Sequence, residues 1–363
     1  MKIIHCADLH LDSKMTANLS KEKAKERKVE ILRTFSKMVE YAKVHQVSAI
    51  LIAGDLFDTR NVSATARNMV RDVIVQTPEV DFLYLKGNHD NDNFLSKLDE
   101  LPDNLCLFSD KWTTYTYGEV TVSGLELNAE NSMSAYNSLV LDHGKYNIVT
   151  MHGQLAEYKS KDRVETISLD DLKNKNIDYL ALGHVHGFRM ERLDGRGVYC
   201  YPGCLEGRGF DECGEKGFVV LDIDTTTHTA KSEFVSLAAR ALYTIPVDVS
   251  GITTTQEAAA RMEEVLAKTQ YPSKCLIKFV LQGEVDVECE LETAFLEEQF
   301  AEYFYFVKVQ DETKLLVNYR DYEKDASLKG EFVRMVYESD LTEEEKSQVI
   351  RAGILALQGE EIN

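Results

Sequence analysis

Residues 81–92 have the sequence DFLYLKGNHDND. An apolar run typical of a buried strand is followed at once by a glycine, an amide, an imidazole and a carboxylate. A strand end with so many groups that can bind metals or transfer protons is either a well-satisfied turn or part of a reaction centre. Other segments of the chain that are built in the same way decide between these interpretations.

Five segments share this construction, in which an apolar strand is followed by a small residue or two and then by metal-capable side chains. They are residues 2–10, 49–58, 82–90, 147–153 and 178–186. Short apolar runs alternate with helical patterns through this part of the chain, which predicts an α/β fold. In open α/β sheets, ligands bind beyond the carboxyl ends of the strands. All five sets of polar groups are therefore expected to converge on one edge.

The converging side chains include five of the nine histidines of the chain. The set is Asp8, His10, Asp55, Asn88, His89, His152, His184 and His186. In Asp8-x-His10 and His184-x-His186 the two side chains point to the same side if the strand geometry persists. The nearby glycines at 54, 87, 153 and 183 permit the positive φ angles that tight strand exits need.

Carboxylate, amide and imidazole ligands without thiolate suit Mn²⁺, Fe²⁺ or Zn²⁺. Seven of these eight side chains, acting as ligands, exceed the three or four that usually hold one catalytic metal, so two metals are implied. A metal pair holds the attacking and leaving oxygens of a displacement at phosphorus and lowers the pKa of the attacking water. The set thus predicts phosphoester hydrolysis. Each motif alone also fits a structural role, such as a surface turn or a core histidine, and it is their joint occurrence that favours a site.

Composition limits the alternatives. The chain has 363 residues, 44% of them hydrophobic and 28% charged, which is typical of a globular protein with two or three domains. No apolar run approaches the roughly 20 residues of a membrane span, and Asp8 leaves no room for a signal-peptide core. We therefore expect a cytoplasmic protein without a membrane span. The seven scattered cysteines indicate reduced, mostly structural thiols.

The net charge of −20 argues against a protein that coats nucleic acid through bulk electrostatics. Acidic residues that bind divalent ions reverse the sign of the local field, however. The charge of the whole chain therefore leaves a local nucleic-acid contact open.

The chain is predicted to have three parts. Residues 1–235 carry the α/β pattern, with amphipathic helices at 20–45 and 64–77. Residues 243–320 alternate strands and helices and form a small α+β domain after a linker at 236–242. Residues 328–359 contain two short amphipathic helices, the second begun by a capping box at Thr342 and Glu345. These helices either fold back on the body or wait for a partner.

The order D-x-H, GD, GNHD, an isolated H and GHxH resembles that of the calcineurin-like metallophosphoesterase superfamily over residues 1 to about 235. The resemblance implies a sandwich of two mixed sheets flanked by helices. It also implies a role for each motif residue: Asp8, His10 and His186 bind the first metal, Asn88, His152 and His184 bind the second, Asp55 bridges them, and His89 is the acid for the leaving oxygen. Asp90 is assigned, from adjacency alone, to orient the imidazole of His89.

Further segments, such as HCADLHLDS, AGDLFDT and YPGCLEGRGFDECGEKGF, resemble the SbcD-type nuclease subunits, including their YhaO-type relatives. This resemblance implies a DNA exonuclease and endonuclease of a double-strand-break repair complex, acting as a homodimer with two Mn²⁺ ions, Fe²⁺, Zn²⁺ or Mg²⁺ being alternatives. Residues 243–320 would cap the site, and residues 328–359 would bind the coiled-coil base of an SbcC-type ABC ATPase. Archaeal and eukaryotic relatives have a histidine where this chain has Asp58.

Two alternatives remain. The same site can act on a small phosphodiester or a phosphoprotein, and a scaffold with a vestigial site is disfavoured because no expected ligand is missing. For the nuclease, basic residues on the loops around the site are the predicted DNA contacts, and substituting Arg208 or Arg60 is predicted to weaken DNA binding and reduce its salt dependence. The predicted contacts are Arg60, Arg67, Lys86, Lys159, Lys161, Arg163 and Arg208.

Overall fold

The structure is a computed structural model that describes residues 1–15, 19–58, 62–90, 94–98, 100–132, 134–156, 166–287 and 289–358. The chain divides into two compact units, Met1–Ala241 and Leu242–Asn363. The finer division of the second unit into residues 243–320 and 328–359 stays a prediction.

The first unit alternates strands and helices. Its strands are β1 (Lys2–Cys6), β2 (Ala49–Ala53), β3 (Asp81–Leu85), β4 (Leu105–Leu107), β5 (Thr113–Tyr117), β6 (Val120–Gly124), β7 (Tyr146–His152), β8 (Gln154–Leu155), β9 (Thr166–Ile167), β10 (Tyr179–Gly183), β11 (Arg189–Arg192), β12 (Val198–Tyr201), β13 (Gly217–Asp224) and β14 (Thr229–Ser236). Its helices are α1 (Lys21–Val44), α2 (Ala64–Val75), α3 (Ala135–Ser138) and α4 (Leu169–Leu172), with a 3₁₀ turn at Leu95–Lys97.

Two six-stranded mixed sheets form the body of this unit within the described residues. The first has the order β14-β13-β1-β2-β3-β4, in which β1 to β4 run parallel and β13 is antiparallel to β1. The second has the order β11-β12-β10-β7-β6-β5, with a parallel centre and antiparallel strands at both edges. The predicted α/β fold with two mixed sheets and flanking helices is confirmed.

The two sheets pack face to face through an apolar core. Leu51 and Leu83 of the first sheet belong to the same buried cluster as Ile148 and Tyr179 of the second. Strands β2 and β7 are buried along their whole length, and β2 is accordingly a continuous apolar run rather than an alternating one.

Helices α1 and α2 cover the outer face of the first sheet. Phe35 of α1 and Val70 of α2 are fully buried in one cluster with Ile52 and Phe82 of the sheet. Ser20 caps α1 by accepting a hydrogen bond from the backbone of Lys23. The predicted apolar stripes of both helices are therefore core.

The second unit contains β15 (Leu242–Asp248), α5 (Thr255–Lys268), β16 (Leu276–Gln282), β17 (Glu284–Asp286), α6 (Thr293–Phe300), β18 (Phe306–Asp311), β19 (Lys314–Leu316), α7 (Tyr319–Tyr322), α8 (Leu328–Tyr337) and α9 (Glu343–Gln358). Strands β15, β16 and β18 are parallel neighbours. Helices α5 and α6 lie between these strands in sequence, because parallel strands need crossover connections.

Helices α8 and α9 share a buried cluster with residues that precede them in the same unit. Val333 and Ile350 are fully buried in this cluster together with Val317 and Tyr322. The other faces of these helices expose apolar side chains, among them Leu328 at 72% and Met335 at 66%. One face of each helix thus folds back on the unit. Among the described residues, no helix has the length and apolar character to span a membrane.

Candidate active site

The predicted ligands lie at the carboxyl ends of five strands, three in the first sheet and two in the second. Asp8 and His10 follow β1, Asp55 follows β2, Asn88 and His89 follow β3, His152 ends β7, and His184 and His186 follow β10. Strands β1, β2 and β3 run parallel, as do β7 and β10. Their polar ends consequently lie at one edge of the sandwich, as the sequence predicts.

Two glycines allow the ends of the two sheets to approach closely. His152 Nδ1 lies 2.9 Å from the carbonyl oxygen of Ala53 on the opposite sheet. A Cβ atom at Gly54 would lie 2.1 Å from His152 Nδ1, and one at Gly183 would lie 1.9 Å from the Ala53 oxygen. Neither contact is sterically possible, so a side chain at either position would force His152 away from the site.

Four of the predicted ligands have a left-handed backbone conformation, which is unfavourable for residues other than glycine. The φ angles are 51° at Asp8, 44° at His10, 54° at Asp55 and 105° at His184. Such conformations persist only where surrounding contacts enforce them, and they are concentrated at functional sites. Here they bend the strand exits so that the side chains converge.

Asp8, His10 and His186 form a first cluster, with potential ligand atoms within 4.8 Å of one another. Asp8 and His10 are almost completely buried. Both carboxylate oxygens of Asp8 accept a hydrogen bond from the backbone amide of His184, at 2.9 and 3.0 Å. The Nε2 atoms of His10 and His186 lie 3.2 Å apart. Residues brought together in this way match the set predicted for the first metal.

A second cluster is formed around His152 and Asp55. His152 Nε2 lies 3.0 Å from Asn88 Oδ1 and 3.4 Å from Asp55 Oδ2. The imidazole of His184 packs edge-on against that of His152, with ring centroids 5.5 Å apart. Asp55 Oδ2 also lies 3.8 Å from His10 Nε2 in the first cluster. The position of Asp55 between the clusters fits the predicted bridging role.

The arrangement of these atoms fits divalent cations. His186 Nδ1 is hydrogen-bonded to Glu212 Oε1 at 2.7 Å and is assigned the proton of its neutral ring. His10 Nδ1 lies 3.1 Å from Asp58 Oδ1, and this ion-pair distance favours the same tautomer although the contact does not have hydrogen-bond geometry. The two Nε2 atoms then face each other with lone pairs, which is unfavourable unless a positive charge lies between them. His152 Nδ1 donates to the Ala53 carbonyl, so the contact of His152 Nε2 with Asn88 Oδ1 is favourable only with a positive charge there, either a proton on Nε2 or a bound cation.

The pKa values of the site also show that it favours positive charge. Burial by itself would lower the pKa of His152, but the hydrogen bond and charge of Asp55 and the charge of Asp8 raise it to about 9. Burial raises the pKa of Asp8 to about 6, and the charge of Asp55 contributes to the rise. Burial would likewise raise the pKa of Asp55, but His152 and His10 lower it to about 2. Metal binding here would displace protons.

His89 lies at the rim of the site. Its side chain is 47% exposed, and its ring centroid is 5.1 Å from that of His10. Its backbone amide donates a hydrogen bond of 2.9 Å to Asp55 Oδ1. The ring is thus held near the clusters while it remains accessible to a substrate. Asp58 Oδ1 lies 3.9 Å from His89 Nδ1, so the carboxylate of Asp58 lies beside the imidazole of His89.

The carboxylate of Asp90 contacts backbone amides, whereas its adjacency in sequence predicted a contact with the imidazole of His89. It accepts hydrogen bonds from the backbone amides of Leu56 at 3.1 Å, Phe57 at 3.0 Å and Gly87 at 3.0 Å. Because a side chain at a tight strand exit can turn toward the neighbouring loop, adjacency in sequence does not imply contact. Asp90 joins the loops after β2 and β3, which favours a positioning role for it.

Arg208 and Glu212 lie directly behind the first cluster. Glu212 is 4% exposed and accepts hydrogen bonds from the guanidinium of Arg208, while Arg208 Nη1 donates to Asp58 Oδ1 at 2.8 Å. The guanidinium predicted to contact DNA is therefore engaged by two carboxylates. Glu212 was not among the predicted site residues, and because residues 208–212 form a loop, its spacing from Arg208 gives no sequence signal for the ion pair.

The other predicted DNA contacts have varied positions. Lys86 pairs with Glu126 at 3.4 Å, and Arg67 is half-buried on α2. Four of the predicted contacts, Arg60, Lys159, Lys161 and Arg163, lie outside the described residues. The DNA-binding role of the whole set stays a prediction.

Comparison with known proteins identifies the family. The sequence profile of the family described as "Calcineurin-like phosphoesterase" matches residues 1–188, more than half of the chain. The chain belongs to the calcineurin-like phosphoesterase family. The sandwich of mixed sheets and the polar clusters at its edge accordingly form a metallophosphoesterase domain, and members of this family depend on divalent metals.

Relatives of this calcineurin-like phosphoesterase are similar at low identity. The chain is 27% identical over 237 residues to "Uncharacterized metallophosphoesterase YhaO" of Bacillus subtilis, with 61% of this chain and 57% of that protein covered. It is 25% identical to "DNA double-strand break repair protein Mre11" of Sulfurisphaera tokodaii, covering 78% and 73%. It is 24% identical to the SbcD component of the nuclease SbcCD of Escherichia coli K12, covering 61% and 64%. The matches to YhaO and to SbcD thus span less than two thirds of those proteins.

Proposed function

We propose that this chain is a DNA nuclease that hydrolyses phosphodiester bonds at a binuclear site, with Mn²⁺ as the favoured metal. The observation that carries the proposal is the pair of clusters joined by Asp55, whose Oδ2 atom lies 3.8 Å from His10 Nε2 and 3.4 Å from His152 Nε2. Similarity to proteins named for nuclease activity and for double-strand break repair supports DNA as the substrate.

The chain's own residues provide positioning and proton transfer. Divalent ions at such a site supply Lewis acidity and a water of lowered pKa. Asp8, His10 and His186 would hold one cation, Asn88, His152 and His184 would hold the other, and Asp55 would contribute to both. The imidazole of His89 is assigned as the proton donor to the leaving oxygen. Its side chain is 47% exposed, so a substrate can reach it, and its backbone amide is anchored on Asp55 beside the clusters.

The proposal extends to partners. The SbcD relative is named as part of a complex, and the exposed apolar faces of α8 and α9 offer a surface for another protein. We include in the proposal a coiled-coil ABC ATPase bound through residues 328–359, a homodimer, and a cytoplasmic location. The second unit is proposed to shape DNA access to the site.

The test compares two substrates with one enzyme. Purified full-length protein is incubated with linear duplex DNA or with bis(4-nitrophenyl) phosphate, each with and without Mn²⁺. We expect Mn²⁺-dependent release of nucleotides. His89→Ala should lower DNA cleavage by roughly 10²- to 10⁴-fold, the usual contribution of a general acid, while the bound Mn²⁺ is unchanged.

The matched control is His143→Ala, which replaces an exposed histidine in a loop before β7. It should cleave DNA as the parent does. Hydrolysis of the small ester with DNA left intact would contradict the nuclease proposal and favour a phosphodiesterase acting on small substrates.

A further inference from the structure

Five side chains form a series of polar contacts that begins at His10 and ends at His186, the two histidines of the first cluster. Arg208 is in the centre, with Nη1 2.8 Å from Asp58 Oδ1 and Nη2 2.8 Å from Glu212 Oε1. Each carboxylate also contacts an imidazole on its other side: Asp58 Oδ1 lies 3.1 Å from His10 Nδ1, and Glu212 Oε1 lies 2.7 Å from His186 Nδ1. The two histidines of the first cluster are thereby connected to one another through protein alone.

This chain of contacts is held firmly by its surroundings. Glu212 is 4% exposed, and its Oε2 atom accepts a hydrogen bond of 2.7 Å from the backbone amide of Arg208. The side chain of Arg208 is 19% exposed. The carbonyl oxygen of His186 accepts hydrogen bonds from Lys216 Nζ at 2.8 Å and from the backbone of Cys204 at 3.2 Å. The segment from Cys204 to Lys216 therefore contacts both the backbone carbonyl and the imidazole of His186.

The second cluster lacks an equivalent carboxylate at His152. The Nδ1 atom of His152 has the neutral carbonyl of Ala53 as its partner. A carboxylate partner orients an imidazole ligand and raises its basicity, and loss of such a partner typically weakens metal binding by about 10- to 100-fold. A carbonyl orients the ring but carries no full charge. His152 thus differs from His10 and His186 in the charge of the group that faces its Nδ1 atom.

We propose that Asp58, Arg208 and Glu212 form a carboxylate clamp that positions His10 and His186, and that this clamp makes the first cluster the tighter of two metal subsites. The inference rests on the proposed binuclear function. The three clamp residues are positioning residues, since they act on the metal through the imidazoles that they hold.

A positioning role and a purely electrostatic role for Arg208 predict opposite changes in cation affinity when its guanidinium is removed. Its positive charge lies close to the first cluster, with Nη2 3.5 Å from His186 Nδ1, so Coulomb's law alone would make removal of Arg208 strengthen cation binding. If Arg208 acts by positioning, removal of its guanidinium frees both carboxylates. The imidazoles of His10 and His186 then lose their fixed orientation, and cation binding weakens. The sign of the change therefore separates a positioning role from a purely electrostatic one.

The experiment titrates metal-free, full-length protein with Mn²⁺ and follows binding by calorimetry and by electron paramagnetic resonance. The electron paramagnetic resonance spectrum at one equivalent of Mn²⁺ distinguishes a single occupied subsite from a spin-coupled pair of ions. In the parent, we expect one ion to bind more tightly than the other. Glu212→Gln, Asp58→Asn and Arg208→Gln should each weaken the tighter ion by about 10- to 100-fold and leave the weaker ion unchanged.

The matched control is Asp178→Asn. Asp178 also pairs with a guanidinium, that of Arg196 at 2.8 Å, but it precedes β10 at the end opposite to His184. This variant should bind both ions as the parent does. Thermal unfolding of each metal-free variant checks that it is folded, and Asp58→Asn at the partly exposed end of the clamp provides the test if Glu212→Gln is unfolded.

Three outcomes would overturn the clamp. The first is a folded Arg208→Gln variant that binds the tighter ion as well as the parent or better, and the second is parental binding by Asp58→Asn and Glu212→Gln. The third is an equal loss in Asp178→Asn, which would indicate a general structural effect. A parent that binds no pair of ions would instead refute the binuclear site itself, so the two failures are distinguishable.

Discussion

His5 is a fully buried histidine of β1 whose surroundings make its charged form unfavourable. Its Nδ1 atom lies 3.0 Å from the hydroxyl oxygen of Tyr179 on the opposite sheet, and the two rings meet edge-on. Burial lowers the pKa of His5 to about 3, although a backbone hydrogen bond at Leu182 partly opposes the shift. Below pH 6.5 the unfolded chain therefore binds a proton here that the folded protein does not.

This difference predicts that His5 destabilises the protein as the pH falls from about 6.5 toward 3. The loss in unfolding free energy is at most about 1.4 kcal/mol per pH unit. We expect His5→Gln to be less stable than the parent at pH 7.5 and to lose stability less steeply below pH 6.5. Urea unfolding of metal-free protein between pH 7.5 and 5 measures this, with His143→Gln as the matched control. Parallel stability curves for parent and His5→Gln would refute the prediction.

The ligand candidates could be found from the sequence because each follows an apolar strand, and the geometry of parallel sheets brings such positions together. The partners of these ligands could not be found in this way. Asp58 and Glu212 contact His10 and His186 through loops that fold back on the site, and no periodicity relates a loop carboxylate to a distant imidazole. For the same reason, the contacts of Asp90 differ from those that adjacency suggested.

At the scale of elements, hydrophobic periodicity located the helices to within a few residues. The pattern predicts helices at 20–45 and 64–77, and they occur at Lys21–Val44 and Ala64–Val75. Periodicity does not determine strand pairing, since it does not specify which strands are neighbours. The parallel order of β15, β16 and β18 therefore became evident only in the structure.

Helix α9 has one buried and one exposed apolar face, and neighbouring residues allow the two to be compared. Ile350 is fully buried in the terminal cluster, whereas Val349 is 40% exposed. Ile350→Ala should lower the free energy of unfolding by about 2 to 5 kcal/mol, the usual cost of such a cavity. Val349→Ala should change it by less than about 0.5 kcal/mol. Guanidinium unfolding followed by fluorescence provides the measurement, and equal stabilities would mean that α9 does not pack as described.

At the scale of the molecule, the terminal helices both complete the second unit and expose an apolar surface. A chain that ends near residue 325 would lose Val333, Val336, Ile350 and Ile354 from the cluster that includes Val317 and Tyr322. Such a truncation would remove core and surface together. Failure of the truncated protein to bind a partner would therefore not distinguish a lost docking face from a damaged unit, and surface substitutions make the sharper test.

Leu328 and Met335 are seven residues apart on α8, so they lie on one face, and they are 72% and 66% exposed. Within the proposed function, this face binds the coiled coil of the ATPase partner. The double variant Leu328→Glu/Met335→Glu should keep parental thermal stability and co-purify at least about tenfold less of that ATPase, since burying two carboxylates in an apolar interface is costly. Val44→Glu/Val75→Glu, which adds the same charges at exposed apolar positions of the first unit, is the matched control and should bind as the parent does. Equal recovery of the ATPase with both double variants would place the partner elsewhere, and no recovery with the parent would remove the ATPase from the proposed function.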